Sequence, residues 1–261
     1  MKLVRSHKSK VALAIAVIGA LLAWFSARDA HKTPPREQPA RAAGKASPGA
    51  GPAHAAFDFY LLALSLHPAF CADGHGQMPE CRARAPRPLV IHGLWPENLA
   101  PGTYPHDCPA AGLDLDPALA QELQDFMPGM ISDLHDHEWR AHGGCSGLDD
   151  DVYFGRALEL AREVDSALAA RLTILAGGET SADELRGFAD EFHAGLGASL
   201  TFHCRTLRDA GGRRFLIEVR QCVDNDGPDG APGTLLDCAA VDRRDQGCGG
   251  GFMIAGPRMR P

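Results

Sequence analysis

An α+β domain, with a central antiparallel sheet packed against helices and stabilised by disulfides, is the fold class the sequence predicts. Three observations carry that prediction. Apolar residues recur with helical spacing through the middle of the chain, from about residue 117 to residue 192. Short apolar and aromatic runs of strand character lie on either side, at 57–65, 88–91 and 198–222. All eight cysteines fall in this same region.

The chain before Phe57 reads differently. Lys2, Arg5, Lys8 and Lys10 precede Val11 to Ala27, a nearly unbroken apolar run of 17 residues. A basic segment followed by a long apolar one is the layout of a secretory signal, so residues 1–27 are assigned to export. Phe25 and Arg28 occupy positions where small residues are preferred before cleavage at Ala27 or Ala30. An uncleaved signal anchor is therefore the rival reading, and the run is just long enough to span a bilayer. Both readings keep the basic end cytoplasmic and export the rest, to the periplasm or the medium, with membrane contact only through residues 11–27. Residues 28–56 are rich in Pro, Ala and Gly and poor in large apolar side chains. They bury too little surface to offset ordering entropy and read as a flexible linker, which leaves residues 57–261 as the globular domain.

Within the domain, Phe57 to Ser65 (FDFYLLALS) reads as a core strand ending before His67-Pro68. Cys71 to Cys81 is a Gly/Pro loop. Pro88 to Ile91 is a second short buried strand that delivers His92-Gly93-Leu94-Trp95-Pro96 at its end. A strand terminus is a rigid place from which to present a side chain. Residues 97–112 form a Pro/Gly-rich loop carrying Tyr104, His106 and Cys108. Asp116-Pro117 is a helix start, with carboxylate at the cap and proline at the first helical position, and Pro128-Gly129 stops that helix after about Met127. His137 to Cys145 falls on the next helix. Phe154, Leu158, Ala161, Val164 and Leu168 give helical periodicity from Asp151 to about Ala170. Ser181-Ala-Asp-Glu184 is a capping-box pattern leading a helix through Leu185, Phe188 and Phe192. Ala198 to Cys204 and Arg214 to Cys222 read as an antiparallel hairpin turning at Gly211-Gly212, with Phe215, Ile217 and Val219 on one face. Thr234 to Cys238 reads as a further short strand.

Charge and cysteines bound the function. From Phe57 onward the chain has 17 arginines, no lysine and 31 acidic residues, a net charge of about −14. Such a surface repels nucleic acid at long range and counts against a nonspecific nucleic-acid binding module, while leaving room for a local arginine or histidine pocket. An even cysteine count in an exported domain favours four disulfides, with the connectivity open. The absence of any C-x-x-C pair weakens structural-zinc and thioredoxin-like readings.

The densest chemistry is in His137-Glu138-Trp139-Arg140-Ala141-His142-Gly143-Gly144-Cys145. At about 100° per residue, Glu138 and His142 share a helix face, so the carboxylate is placed to orient that imidazole. His137 and His142, five apart, point well away from each other. That spacing also argues against a zincin site, which needs histidines four apart. Together with His92, these residues suit transfer at phosphorus without a metal: one imidazole removes a proton from the nucleophile and the other protonates the leaving oxygen. A positive group must balance charge on the phosphoryl oxygens. RNA supplies its own nucleophile in the 2′-hydroxyl. Trp139, mid-helix, reads as structural, and His106, His135, His193 and His203 default to surface or structural roles.

At these residues the chain resembles the ribonuclease T2 family. HGLWP at 92–96 looks like the family's first active-site segment and HEWRAHGGC at 137–145 like its second, H-E-W-x-K-H-G-x-C; FDFYLLALSLHPAFC resembles its amino-terminal strand. The resemblance covers roughly residues 57–250. It implies a T2-like α+β fold and endoribonuclease cleavage of single-stranded RNA, metal-independent, through a 2′,3′-cyclic phosphate to 3′-phosphate ends. His92 and His142 would be the acid/base pair, Glu138 would support the transition state and His137 would help bind phosphate. Trp95 and Tyr104 would stack on a base, with Glu97 where the family often has an aspartate reading the base edge. No cofactor, metal or obligate protein partner is called for. The resemblance further implies the disulfides Cys71–Cys81, Cys108–Cys145, Cys204–Cys248 and Cys222–Cys238. Two departures stand out: Leu66-His67 replaces the family's common Trp-Ser, and Ala141 replaces its lysine. Either Arg140 or another arginine then supplies the positive charge, or the enzyme is slower. The alternative to an active nuclease is a catalytically weak or inactive T2-like RNA-binding protein.

Overall fold

β1 (Phe59–Leu66) is buried at every position except Ser65, because a strand is paired along each of its edges. The computed structural model describes residues 55–82, 87–100, 102–207, 211–242 and 247–256. The export segment and nearly all of the linker expected before Phe57 lie outside the described residues. β2 (Leu89–Glu97) pairs antiparallel with one edge of β1, and β5 (Arg214–Asp224) pairs antiparallel with the other. β4 (Leu200–Thr206) forms the expected hairpin with β5, with Gly211 and Gly212 at positive φ in its turn. Two short strands, β3 (Glu179–Thr180) and β6 (Phe252–Met253), extend the sheet to the order β2-β1-β5-β6-β3. The β5–β6 contact is parallel, so the sheet is mixed rather than wholly antiparallel. At two residues each, β3 and β6 are too short to show a period in the sequence.

The helices form where their caps demand. In α1 (Pro117–Phe126), the Asp116 carboxylate accepts from the amides of Ala118 and Leu119, with proline at the first turn. α2 (Leu134–Glu138) runs on through a π turn (Trp139–Gly143) into a last short turn (Gly144–Ser146). α3 (Asp150–Ile174) extends beyond both expected ends and buries Tyr153, Phe154, Leu158, Ala161, Val164 and Leu168. In α4 (Ala182–Phe192), Ser181 accepts from the Glu184 amide, but the Glu184 side chain accepts from Thr180 rather than completing the box. Among the described residues, no helix is long and apolar enough to cross a membrane.

The two faces of β1 have different jobs. Tyr60, Leu62, Leu64 and Leu66 belong to the main core with α3. Phe59 and Leu61 pack in a smaller cluster with Cys222 and Cys238, and the next residues on that face are the small Ala63 and Ser65. Those small side chains leave the space in which the site is built.

Two local expectations are corrected. Thr234–Cys238 is not a strand: it makes one isolated bridge, Val223 to Leu235, after which Asp237 caps a helical turn at Cys238–Val241. Ile217 does not share the core face with Val219, because an irregularity in the β4–β5 register pairs Cys204 with Leu216 and His203 with Glu218. Leu216 and Val219 face the core, and Ile217 lines a cavity beside the site. All four disulfides form with the pairing implied by the resemblance: Cys71–Cys81, Cys108–Cys145, Cys204–Cys248 and Cys222–Cys238.

Candidate active site

His92 lies within β2, not at its end. The strand continues through Glu97, and the pairing with β1 jumps from Leu64–Ile91 to Ala63–Gly93, which leaves His92 as the extra residue of a bulge. A bulge re-aims the side chain it carries. Here it turns His92 over the face of β1 that carries Ala63 and Ser65. Glu218 and Arg220 stand opposite Ser65 and Ala63 on β5, hence on the same face. The two outer strands can therefore touch across the middle one: His92 Nδ1 and Glu218 Oε1 are 2.9 Å apart. Arg220 Nε donates to the other carboxylate oxygen at 2.5 Å.

Gly93 is required by close approach. A Cβ there would overlap both Glu138 Oε2 and Trp95 Nε1. In that space Trp95 Nε1–H donates to Glu138 Oε2 at 2.8 Å, and Glu138 Oε1 stands 4.0 Å from His92 Nε2. From below, the buried Tyr153 hydroxyl of α3 donates to the carbonyl of Leu94 and fixes the strand between His92 and Trp95.

The second segment departs from the ideal helix used to read it. Glu138 is buried and turned to Trp95 and His92, so the expected Glu138–His142 pairing is not made. The π turn is the reason, because i→i+5 bonding changes which side chains stack. The charge of His137 nonetheless bears on His142, five residues on. Trp139 is structural as expected, donating to the carbonyl of Ala111 at 2.9 Å and packing against Tyr153 and Phe154. Arg140 is two-thirds exposed and ion-paired with Asp136. The Ala141 carbonyl accepts from the Asp107 amide, and Cys145 is bonded to Cys108, so the loop carrying Tyr104 is tied to this helix twice.

Trp95 stands between the histidines, its ring 5.1 Å from that of His92 and 5.6 Å from that of His142. Its indole N–H is spent on Glu138, so it frames the site. Tyr104 is exposed and its ring lies 6.3 Å from His142. Glu97 is buried at the end of β2, one alternation beyond Trp95.

The two imidazoles are driven apart electrostatically. Burial alone would depress the His92 pKa, but the bond to Glu218, the charge of Glu218 and then Glu138 outweigh it, and the net shift is upward. Burial likewise opposes ionisation of Glu218, yet the bond to His92 and the charge of Arg220 hold its pKa down to about 2. Glu218 is thus a carboxylate and accepts from a protonated Nδ1. For His142, burial and the positive charges of His137 and His92 add, and its pKa falls to about 4. Its Nδ1 is buried without a hydrogen-bond partner. Burial raises the pKa of Glu138, opposed by His92, Trp95 and His137.

Residues 57–234 match the family model described as the ribonuclease T2 family. The chain belongs to the ribonuclease T2 family. A ribonuclease of Aeromonas hydrophila is 31% identical over 182 residues, covering 66% of this chain and 74% of the relative. Extracellular ribonuclease LE of Solanum lycopersicum is 27% identical over 198 residues, covering 70% and 80% respectively. The structure of ribonuclease MC1 from bitter gourd seeds aligns at a TM-score of 0.59 and 25% identity, over 76% of this chain and all of that one. A mutant of RNase MC1 in complex with 5′-UMP aligns at the same TM-score and 26% identity. This T2 ribonuclease is accordingly an RNA-cleaving enzyme.

For the T2 fold of this chain, the residue missed from the sequence is Glu218. Its signal was present: Glu218 and Arg220 alternate with apolar residues in a strand ending at Cys222, and charge inside a core strand asks for a partner. Nothing in the sequence said that the partner is His92. Among the described residues, three candidate metal donors come within 4.8 Å of one another only at His67, Cys71 and Cys81 and at Asp149, Asp150 and Asp151. Neither group includes His92, His137, Glu138 or His142.

Proposed function

We propose that this chain is an endoribonuclease that cleaves single-stranded RNA by metal-independent transphosphorylation, with His142 as base and His92 as acid in the first step. The observation that carries the reading is the opposed pair of imidazoles on either side of Trp95. At neutral pH His142 is unprotonated and able to accept, while His92, bonded to Glu218, is biased toward holding a proton. That is the division of labour a two-imidazole mechanism needs.

In the first step His142 takes the 2′-hydroxyl proton, O2′ bonds to phosphorus, the P–O5′ bond breaks, and His92 protonates O5′. A 2′,3′-cyclic phosphate is the product. In the second step His92, now neutral, takes a proton from water as the water oxygen bonds to phosphorus. The P–O2′ bond breaks, His142 returns its proton to O2′, and a 3′-phosphate remains. Glu138, near His92 Nε2, supports charge as the proton moves, and His137 helps bind phosphate. The exposed Tyr104 ring and the Trp95 indole form the walls on which a base stacks, and Glu97 lies on the Trp95 side where a base edge would be read. Export to an oxidising compartment is part of the proposal, supported by the four disulfides and by the composition of residues 1–27.

The test is incubation of purified protein with single-stranded oligo-RNA in EDTA, with end groups read by mass spectrometry. Cyclic-phosphate ends form, and His92→Ala or His142→Ala lowers the rate by about 10²–10⁴-fold. Activity that disappears in EDTA overturns the metal-independent mechanism, and an absence of cleavage in every buffer leaves an RNA-binding protein instead.

A further inference from the structure

The substitution of Ala141 for lysine takes a cation out of a segment whose chemistry calls for one. We propose that Arg220, on β5, supplies that charge by bonding a non-bridging oxygen of the scissile phosphate, an assignment that rests on the cleavage chemistry above.

Several arginines are candidates, and geometry separates them. Arg140, next in sequence to the missing lysine, is held by Asp136 at the solvent side of its helix. Arg205 lines the cavity beside the site, but its side chain is 58% exposed and turned to Asp73, away from His92. Arg220 is different on two counts. It stands opposite Ala63, so it projects from the same sheet face as Glu218 and across from His92. Its guanidinium carbon lies 5.6 Å from the Trp95 ring, and that ring is the wall between the two histidines. Like Arg205, it lines the cavity of about 460 Å³ that His92 and His137 line.

Arg220 is well held for the task. Its side chain is 12% exposed and donates through Nε to Glu218 at 2.5 Å. That bond fixes the plane of a group that presents five N–H donors in a rigid fork, the geometry suited to phosphoryl oxygens. Glu218 thereby serves two sites, pinning Arg220 with one oxygen and His92 with the other. A lysine at 141 would arrive from the helix side of the cleft. Arg220 arrives from the sheet side, and the chemistry needs only that a cation face the phosphate.

The experiment compares Arg220→Gln, Ala141→Lys and the double variant, reading kcat/KM on oligo-RNA and the affinity for inorganic phosphate by 31P NMR titration. Arg220→Gln should lower kcat/KM by about 10²–10³-fold, the range for loss of one transition-state donor. Ala141→Lys should change the unsubstituted protein by less than about threefold yet restore at least tenfold in the Arg220→Gln background, as expected when two groups share one task. A merely structural arginine would not be rescued from a different element of the fold. The alkaline limb of the pH–rate profile should also move to higher pH in Arg220→Gln, because the arginine opposes protonation of His92. If Arg220→Gln does not fold, Glu218→Gln/Arg220→Gln removes both charges, and the same rescue by Ala141→Lys is expected in that background. Rates within threefold of the unsubstituted protein, or an equal gain from Ala141→Lys in both backgrounds, overturn the assignment. A protein that cleaves no RNA but loses phosphate affinity on Arg220→Gln upholds Arg220 as the phosphate ligand while removing the nuclease reading.

Discussion

Replacing Glu218 by glutamine asks whether a carboxylate on β5 governs the proton on His92. The amide is nearly isosteric and its oxygen still accepts from Nδ1, so the reach across Ala63 and Ser65 is kept while the charge is lost. A hydrogen bond to a charged partner contributes about 1.5–3 kcal/mol and a neutral one about 0.5–1.5, so the change removes roughly 1–2 kcal/mol from the protonated form of His92. The sign follows from the site. His92 has its pKa raised by Glu218 and must be protonated in the first step, so activity is present below that pKa and lost as pH rises through it. Glu218→Gln therefore moves the alkaline limb of kcat/KM to lower pH and lowers the rate above that limb by roughly five- to thirtyfold. The acid limb, set by His142 with its pKa near 4, stays in place. Initial rates on a short oligo-RNA, measured from pH 3.5 to 9 at constant ionic strength, give both limbs. A thermal melt alongside separates any loss of stability from the lost Arg220 ion pair from the shift of the limb. An alkaline limb that stays put, or that moves upward, would show that Glu218 does not set the protonation of His92.

Two further outcomes follow from close packing around the same cleft. Gly93→Ala forces a methyl group into the space shared by Glu138 and Trp95, so kcat should fall by roughly 10²-fold with modest change in melting temperature; a rate within twofold would mean that Glu138 can move without consequence. Cys108→Ser/Cys145→Ser opens a loop spanning 37 residues and should cost roughly 4 kcal/mol by chain entropy, measurable in denaturant. Because that disulfide ties the Tyr104 loop to the catalytic helix, KM for oligo-RNA should rise more than kcat falls, and an unchanged KM would argue against a binding role for the loop.

Most of the local structure was legible because its causes are local. Asp116-Pro117 announces a helix start through a side chain that reaches the amides two and three residues on. The runs at 57–65 and 214–222 announce strands through composition and period. The misreadings came where a regular period was assumed and broken. The β2 bulge sets His92 inside a strand, the β5 irregularity turns Ile217 toward the cavity, and a π turn follows Glu138, which faces Trp95 and His92 instead of His142. The two strand irregularities absorb a residue by pairing with a distant segment, and the π turn breaks the helical period from within, so a regular period read along the sequence misses all three. The capping box at Ser181 was half right for a related reason: Thr180 competes for the Glu184 carboxylate.

By itself the sequence determined which chemistry is available. Three histidines, a glutamate and two indoles sit in two short segments, eight cysteines share one domain, and no lysine stands at 141 or anywhere after Phe57. Residue type sets what can accept or give a proton, and that is written one position at a time. Tertiary structure decided how those groups are used. Ala63 and Ser65 are small on one face of β1, so Glu218 can reach His92 from a strand 126 residues away and bias it toward the proton. Burial beside two other imidazoles keeps His142 unprotonated. An imidazole's proton affinity depends on charge and solvent in three dimensions, and only the folded chain fixes either.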